Sequence, residues 1–292
     1  MHVPKGDPEK GLDPFFAKAY FALISPLSSD PWPHSPLIFR ALRKITPRWF
    51  YIKFRYAYRY LFSCILGVLL RKHGVSVILR GPFAGMKFVS KPVYGCYLPQ
   101  ILGTYEQEIS KFLREILSED YQTIIDVGCA EGYYAIGLSR ANPNAKVYAF
   151  DIDAHSRYAC HEVAKKNNRE GQIILGNICT HQTIREIAKG KTLIFSDCEG
   201  YEVDLLQPKK CPALLGCDIL VELHDYLRPE ARSLINRFRP THEVEEALSV
   251  ARSIDDFPLP NVRWPRFAKA FSLNEYRPFE MRWLWCRAKN KV

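Results

Sequence analysis

The strongest constraint on this 292-residue chain is a series of short apolar segments, each followed by a stretch of helical periodicity, that becomes regular after residue 105. Thr123-Ile-Ile-Asp-Val127, Lys146-Val-Tyr-Ala-Phe150, Gln172-Ile-Ile-Leu175, Thr192-Leu-Ile-Phe195 and Asp218-Ile-Leu-Val-Glu-Leu223 have the length and composition of strands buried between two layers. Residues 106–117, 133–140, 156–167, 182–189, 201–206 and 229–238 carry the helical period around them. Strands alternating with helices make βαβ units, so the expected fold class is α/β: a mostly parallel sheet with helices on both faces. In such a sheet the ligand crevice lies at the carboxyl ends of the strands. Residues 242–250 and 281–288 read as two further strands, separated by a long Pro-rich excursion.

Charge divides the chain. The first 100 residues hold 15 basic and 4 acidic side chains, whereas the rest is nearly balanced. A protein built wholly for nucleic acid would spread its positive charge over its folded surface, so nucleic acid is not the expected partner. A basic appendage on an enzyme domain fits better. Prolines at 4, 8, 14, 26, 31, 33 and 36 make 1–36 a tail. Residues 47–72 read as a helix in which Trp49, Phe50, Phe54, Tyr58 and Phe62 alternate with Lys53, Arg55 and Arg59, and Arg40, Arg43, Lys44 and Arg48 extend the basic face upstream. Three roles stay open for 40–72: a cover over the core with a solvated basic face, a helix lying on a membrane surface, or a platform for RNA or an acidic glycan. Residues 75–98 suggest a short hairpin around Gly81 and Gly85. The longest apolar run, Leu61 to Leu70, is about half of a membrane span. No secretory signal is read at the start, and nine cysteines without a Cys-x-x-Cys pair read as reduced thiols, so a cytoplasmic, membrane-peripheral at most, location is expected.

Asp126-Val-Gly-Cys-Ala-Glu-Gly132 joins the first strand to the following helix, where backbone N–H groups and a helix N-terminus meet a ligand. Its glycines do not form the Gly-x-Gly-x-x-Gly of dinucleotide binders, and no Lys-Ser or Lys-Thr follows as in a phosphate-binding loop. A cofactor with a carboxylate and an ammonium but no pyrophosphate suits this turn, and S-adenosylmethionine is one. Asp126, Gly128, Glu131 and Gly132 are then cofactor-side candidates. Asp151, at the end of the second strand, is placed for a ribose diol, with Asp153 as the neighbouring alternative. Asn177, after the third strand, is placed for the adenine.

From about residue 81 to 290 the chain resembles a class I S-adenosylmethionine-dependent methyltransferase of the FkbM-like kind. The resemblance rests on Gly103-Thr-Tyr-Glu106, Asp126-Val-Gly-Cys-Ala-Glu-Gly-Tyr-Tyr134, Ala149-Phe-Asp-Ile-Asp153, Asp197-Cys-Glu-Gly-Tyr-Glu202 and Val221-Glu-Leu-His-Asp225, in that order and spacing. It implies a Rossmann-like sheet of seven strands with the last antiparallel, and methyl transfer usually to a hydroxyl oxygen. The chain departs from the commoner pattern in reading Asp-Cys-Glu-Gly for Asp-Val-Glu-Gly and in its basic first third. The expected organisation is a tail over 1–36, a helix-and-hairpin extension over 37–100 and a methyltransferase domain over 101–292.

Asp197 and Glu199 follow the fourth strand, and Glu222, His224 and Asp225 close the fifth, so both groups face one crevice. Transfer to oxygen needs a base or a metal to remove the hydroxyl proton. His224, with an ordinary pKa of roughly 6.5, is the expected base, with Asp197 and Glu222 as its catalytic partners. Asp197, Glu199 and Glu222 would otherwise supply oxygen ligands for a divalent cation. Glu106 sits with Tyr105, Tyr133 and Tyr134 as lining of the cofactor's methionine end or the acceptor mouth. Glu202 and Asp204 read as ordinary first-turn acids of the next helix. His155, His161, His181 and His242 read as surface or packing residues, and Trp264, Trp283 and Trp285 as core. The resulting expectation is O-methylation of a small molecule, sugar or lipid-linked glycan. A methyltransferase-like binding module without turnover, and RNA methylation, are the alternatives.

Overall fold

The computed structural model describes residues 47–72, 74–89, 96–275, 277 and 280–289. The chain forms two compact units, Met1–Ala57 and Tyr58–Val292. The Pro-rich tail and the basic residues Arg40, Arg43 and Lys44 lie outside the described residues. Helix α1 (Arg48–Lys72) contains no acidic residue. Among the described residues no helix is long and apolar enough to cross a membrane.

In the second unit the expected alternation becomes seven strands: β1 (Thr123–Val127), β2 (Lys146–Phe150), β3 (Ile173–Gly176), β4 (Thr192–Ser196), β5 (Cys217–Leu223), β6 (His242–Leu248) and β7 (Arg282–Ala288). Their order is β3-β2-β1-β4-β5-β7-β6. Only β7 runs against its neighbours, pairing antiparallel with both β5 and β6. Sandwiching decides which strands are wholly buried: all residues of β1, β4 and β5 are buried, while β3 at one edge is half-exposed. Helices α4 (Tyr133–Ala141), α5 (Ala154–Lys166), α6 (His181–Ile187), α7 (Glu202–Leu205) and α8 (Ser233–Phe238) follow or connect the strands, and α9 (Arg266–Leu273) precedes β7. Upstream stand α2 (Tyr97–Leu102) and α3 (Ser110–Leu117). The hairpin expected over 75–98 is, within the described residues, one antiparallel bridge between Val77 and Lys87, and α2 begins inside that range.

Trp283 and Trp285 belong to β7 and are almost wholly buried, Trp283 beside Phe195 of β4 with ring centroids 5.4 Å apart. His242 is also a packing residue. Its ring lies between the Thr241 hydroxyl (2.9 Å) and the Cys217 carbonyl (3.0 Å), and burial lowers its pKa, which keeps it neutral.

The strand order reverses between β1 and β4, the point at which an open α/β sheet splits to form a crevice. Thr123 pairs with Lys146 on one side and Thr192 on the other, so the ends of β1, β2 and β4 finish level. Gly128, just past β1, has φ +91, and a Cβ there would lie 1.7 Å from the Asp197 carbonyl oxygen past β4. Only glycine lets the two loops close on each other. Gly128→Ala is expected to cost about 3 kcal/mol or more, from left-handed backbone strain plus a backbone clash. Urea unfolding of the variant checks this; an unchanged midpoint would mean that the loops do not touch.

Candidate active site

Two groups of side chains meet across that contact. The first surrounds the glycine turn. Gly128 N–H and Cys129 N–H both donate to the Phe150 carbonyl, at 2.8 and 3.0 Å, which fastens the turn to the end of β2. Ala130, at φ 46, donates its N–H to Asp151 Oδ2 at 2.9 Å, and Asp153 N–H donates to Asp151 Oδ1 at the same distance. Asp151 therefore supports the turn, and each of its oxygens keeps a second lone pair for a ligand donor. Asp153 does not share that position. It caps α5, accepting from the His155 and Ser156 amides. Asn177 is exposed after β3, where Arg157 reaches both its Oδ1 (3.4 Å) and the Asp151 carbonyl (2.6 Å).

Asp126 and Glu131, at the two ends of the turn, are each 1% exposed, and none of their four carboxylate oxygens has a partner at hydrogen-bond geometry. Burial raises the pKa of Asp126 well above the usual range and that of Glu131 to about 7. The Ala135 amide near Asp126 and the Gln100 side chain near Glu131 favour the charged forms, but less than burial opposes them. Unpartnered buried carboxylates are costly to a fold, and they gain most from a ligand bringing a cation and hydrogen-bond donors.

The second group is acidic and centres on His224, which is 1% exposed at the end of β5. Its Nε2 lies 3.5 Å from Asp197, 3.6 Å from Glu199 and 3.6 Å from Glu222, and its Nδ1 lies 3.2 Å from Glu202. Glu202 is not an ordinary helix acid, as its place in the first turn of α7 suggests. It is fully buried; Oε1 accepts the His224 amide at 2.9 Å, and Oε2 accepts the Gly200 amide at 2.8 Å. Gly200, at φ +101, turns the chain back so that Glu202 points inward. Asp204, two residues on, is exposed and pairs with Arg228, as expected for the outer face.

These neighbours change the chemistry of His224. Burial alone would lower its pKa, but the Glu202 hydrogen bond and the charges of Glu222, Glu202 and Asp197 outweigh it and raise the pKa to about 10. The expectation of a near-ordinary imidazole is thus corrected: the surrounding carboxylates favour the protonated ring at neutral pH. Glu202 is shifted down by the same hydrogen bond, while burial and the Asp197 charge push Glu222 well up.

Arg277, from the excursion before β7, joins Glu106 to this cluster. It meets Glu106 at 2.7 Å, Glu222 at 3.2 Å and Glu275 at 2.8 Å, and Arg252 pairs with Glu108 at 2.6 Å and Glu275 at 2.7 Å. Glu106, at φ 48, also accepts the Tyr134 hydroxyl, and burial raises its pKa to about 8 in spite of Arg277. The structure therefore sets Glu106 against the acidic cluster through Arg277. Tyr134 stacks on Phe195 at 4.0 Å, part core and part site wall. Asp197, Glu222 and His224 also offer ligand atoms within 4.8 Å of one another; Glu199, included in the sequence-derived metal set, is not in that group.

The imidazolium is testable. His224 is expected to titrate near pH 10 by NMR of its ring nitrogens, and Glu202→Gln to bring that value down by at least one pH unit. Because its folded pKa lies above the unfolded value of roughly 6.5, the ionised ring contributes stability in full below that pH and loses it as pH rises through about 10. A ring titrating at its ordinary pH in the wild type would overturn the assignment.

Comparison with known proteins follows the first group more than the second. A family model described as the methyltransferase small domain matches residues 107–188, which hold β1 to β3, the glycine turn and Asp151 but stop before Asp197. No curated protein matches the chain. Among solved structures, the precorrin-6y C5,15-methyltransferase of Geobacter metallireducens is similar at 15% identity, covering 63% of this chain and 89% of that one, with a TM-score of 0.42. The O-methyltransferase of Bacillus cereus, solved in complex with SAH, is similar at 11% identity over 77% of this chain and 90% of that one, with a TM-score of 0.42. The segment from 107 to 188 thus carries a methyltransferase small-domain pattern on a seven-stranded, mostly parallel sheet.

Proposed function

We propose that the chain is an S-adenosylmethionine-dependent methyltransferase that acts on a hydroxyl oxygen of a small molecule, sugar or lipid-linked glycan. One observation carries the reading: Asp126 and Glu131 bury four unpartnered carboxylate oxygens on either side of a glycine turn. The cofactor's ammonium and other N–H and O–H donors would supply the missing cation and partners, and Gly128 and Gly132 let the turn pack against the loop after β4 and against Cys160 of α5. Asp151, already fixed by Ala130 and Asp153, is the acceptor for the diol, and Asn177 stands at the rim beyond it.

When bound, S-adenosylmethionine supplies an electrophilic methyl group on a sulfonium. The chain's part is to orient the acceptor and remove its proton. Asp197 is the most accessible carboxylate around the ring apart from Glu199, with 26% of its side chain exposed, and it accepts the hydrogen bond of the incoming hydroxyl. An O–C bond to the methyl would form as the cofactor's S–C bond breaks and leaves a neutral thioether, and the proton of the broken O–H bond would pass to a carboxylate oxygen of Asp197 or Glu222. Burial, with the Asp197 charge, raises the proton affinity of Glu222, so that when ionised it is a stronger base than an ordinary carboxylate. His224 keeps its own proton and stabilises the charge shared by the two carboxylates; Glu202 holds the ring in place. Arg277 already neutralises part of Glu222, which leaves a divalent cation less negative charge to bind than three free ligands would offer.

Calorimetry is expected to show S-adenosylmethionine binding, weakened by about 1–3 kcal/mol in Asp151→Asn, the scale of lost hydrogen bonds to a charged group. Asp197→Asn should bind the cofactor nearly as the wild type does while losing label transfer from methyl-labelled cofactor to a fractionated cell extract. A chelator should leave that transfer intact. Absence of cofactor binding by the intact chain would sink the reading, and label appearing only in RNA would replace the acceptor with the nucleic-acid alternative.

A further inference from the structure

In the second unit, α1 and α9 pack side by side. Phe62 of α1 lies edge-on to Phe271 of α9 with centroids 4.5 Å apart, and stacks near Phe267 at 6.2 Å. Leu66 and Leu70 turn inward and are buried. The opposite side of α1 is apolar as well: Leu61, Ile65 and Val68, at helical spacing along one stripe, and Leu69 beside them are all exposed. Phe267 of α9 continues this surface, and it is 65% exposed while Leu61 is 60% exposed. Such a row of large aliphatic side chains in water is uncommon on a surface that meets only solvent.

Cations border the patch. Arg71 and Lys72 end α1, Arg263 and Arg266 stand at the start of α9, and all four are exposed. Neither helix carries an acidic residue. Aliphatic groups flanked by cations match the two layers of an anionic lipid surface: acyl chains for Leu61, Ile65, Val68 and Phe267, and phosphate headgroups for the arginines and lysine. Other occupants fit less well. A second copy would bring four cations against their own kind, and an RNA platform stacks bases on a series of aromatic faces, whereas this stripe is aliphatic along Leu61, Ile65, Val68 and Leu69 and adds an aromatic face at Phe267.

We propose that the surface formed by α1 from Tyr58 onward and by α9 docks on an anionic phospholipid bilayer, with α1 lying along the surface and no helix crossing it. The sequence leaves such a role open for 40–72 as one of three; α9 and its Phe267, distant in the chain, complete the surface only in the fold. Both helices touch α2: Gly67 lies against the Tyr97 ring, Arg71 bonds the Tyr97 hydroxyl at 3.3 Å, and α9 packs on the same helix. Residues 103–106, which lead into the acidic cluster, follow α2 directly. The docking surface therefore adjoins the structural support of the acceptor side, and a lipid-borne acceptor would be presented there. Docking itself does not depend on the methyltransferase reading.

The test is co-sedimentation of the full chain with vesicles of phosphatidylcholine alone and of phosphatidylcholine mixed with phosphatidylglycerol. Binding is expected to the mixed vesicles, to fall by about tenfold or more without the anionic lipid or in high salt, and to fall similarly in Phe267→Glu, Ile65→Glu and the double variant Arg263→Glu, Arg266→Glu. These side chains are exposed, so the variants should melt with the wild type and, if the proposed chemistry holds, bind S-adenosylmethionine equally. Failure of the wild type to sediment with mixed vesicles would overturn the proposal, as would wild-type vesicle binding by Phe267→Glu. A dimer in gel filtration that Phe267→Glu dissociates, without vesicle binding, would reassign the face to a second copy. Cofactor binding without vesicle binding would remove docking alone, and vesicle binding without cofactor binding would remove the chemistry alone.

Discussion

Arg277 carries the electrostatic burden of the acidic end of the sheet. Glu106 comes from the segment before α3, Glu222 from β5 and Glu275 from the end of α9, and each meets this one guanidinium within 3.2 Å. Without a cation among them, three carboxylates withdrawn from water would repel one another and favour the protonated state; removing one partner of a buried pair typically costs about 3–5 kcal/mol. The planar fork of an arginine can serve several carboxylates at once, whereas a lysine offers a single ammonium. His224 does the same work one layer deeper, between Glu202 on one nitrogen and Asp197, Glu199 and Glu222 around the other. The site is thus a concentration of negative charge that Arg277 and His224 offset only in part.

That arrangement separates two tasks along one crevice. At the glycine turn, buried carboxylates lack partners and favour a cationic ligand. At the ends of β4 and β5, carboxylates already have cations in His224 and Arg277, which is the setting the proposed proton transfer uses. The contact of Gly128 with the Asp197 carbonyl fixes the distance between the tasks, because the backbone, rather than a flexible side chain, sets it.

The parts legible in the sequence are those that depend on local pattern. β1, β4 and β5 are legible because burial on both faces forces runs that are mostly apolar, with Asp126, Asp218 and Glu222 as the charged exceptions, and the glycine turn because positive φ and close approach leave few residues to choose from. Asp151 was found by its register after β2, though its bonds to Ala130 and Asp153 were not. Glu202 was missed because a helix acid in the first turn usually faces solvent; the one available signal was Gly200, whose left-handed turn sends the next residues inward. Arg277 had no local signal at all. It lies in a Pro-rich excursion 55 residues beyond Glu222 and 171 beyond Glu106, and only tertiary folding brings it between them. The pKa of His224 was misjudged for the same reason, since the carboxylate that does most to raise it was assigned to the surface.

The basic first third has a similar history. Its charge was visible as composition, but composition does not say which residues share a surface. In the fold, the last part of α1 turns one apolar side inward to Phe271 and leaves another exposed, and the cations that border the exposed side come partly from α9. A helix apolar on two sides and free of acids needs a covering for both. The core supplies one; in the proposed docking a medium that is apolar within and anionic at its surface would supply the second, which joins the charge of the appendage and the exposure of Phe267 into one feature.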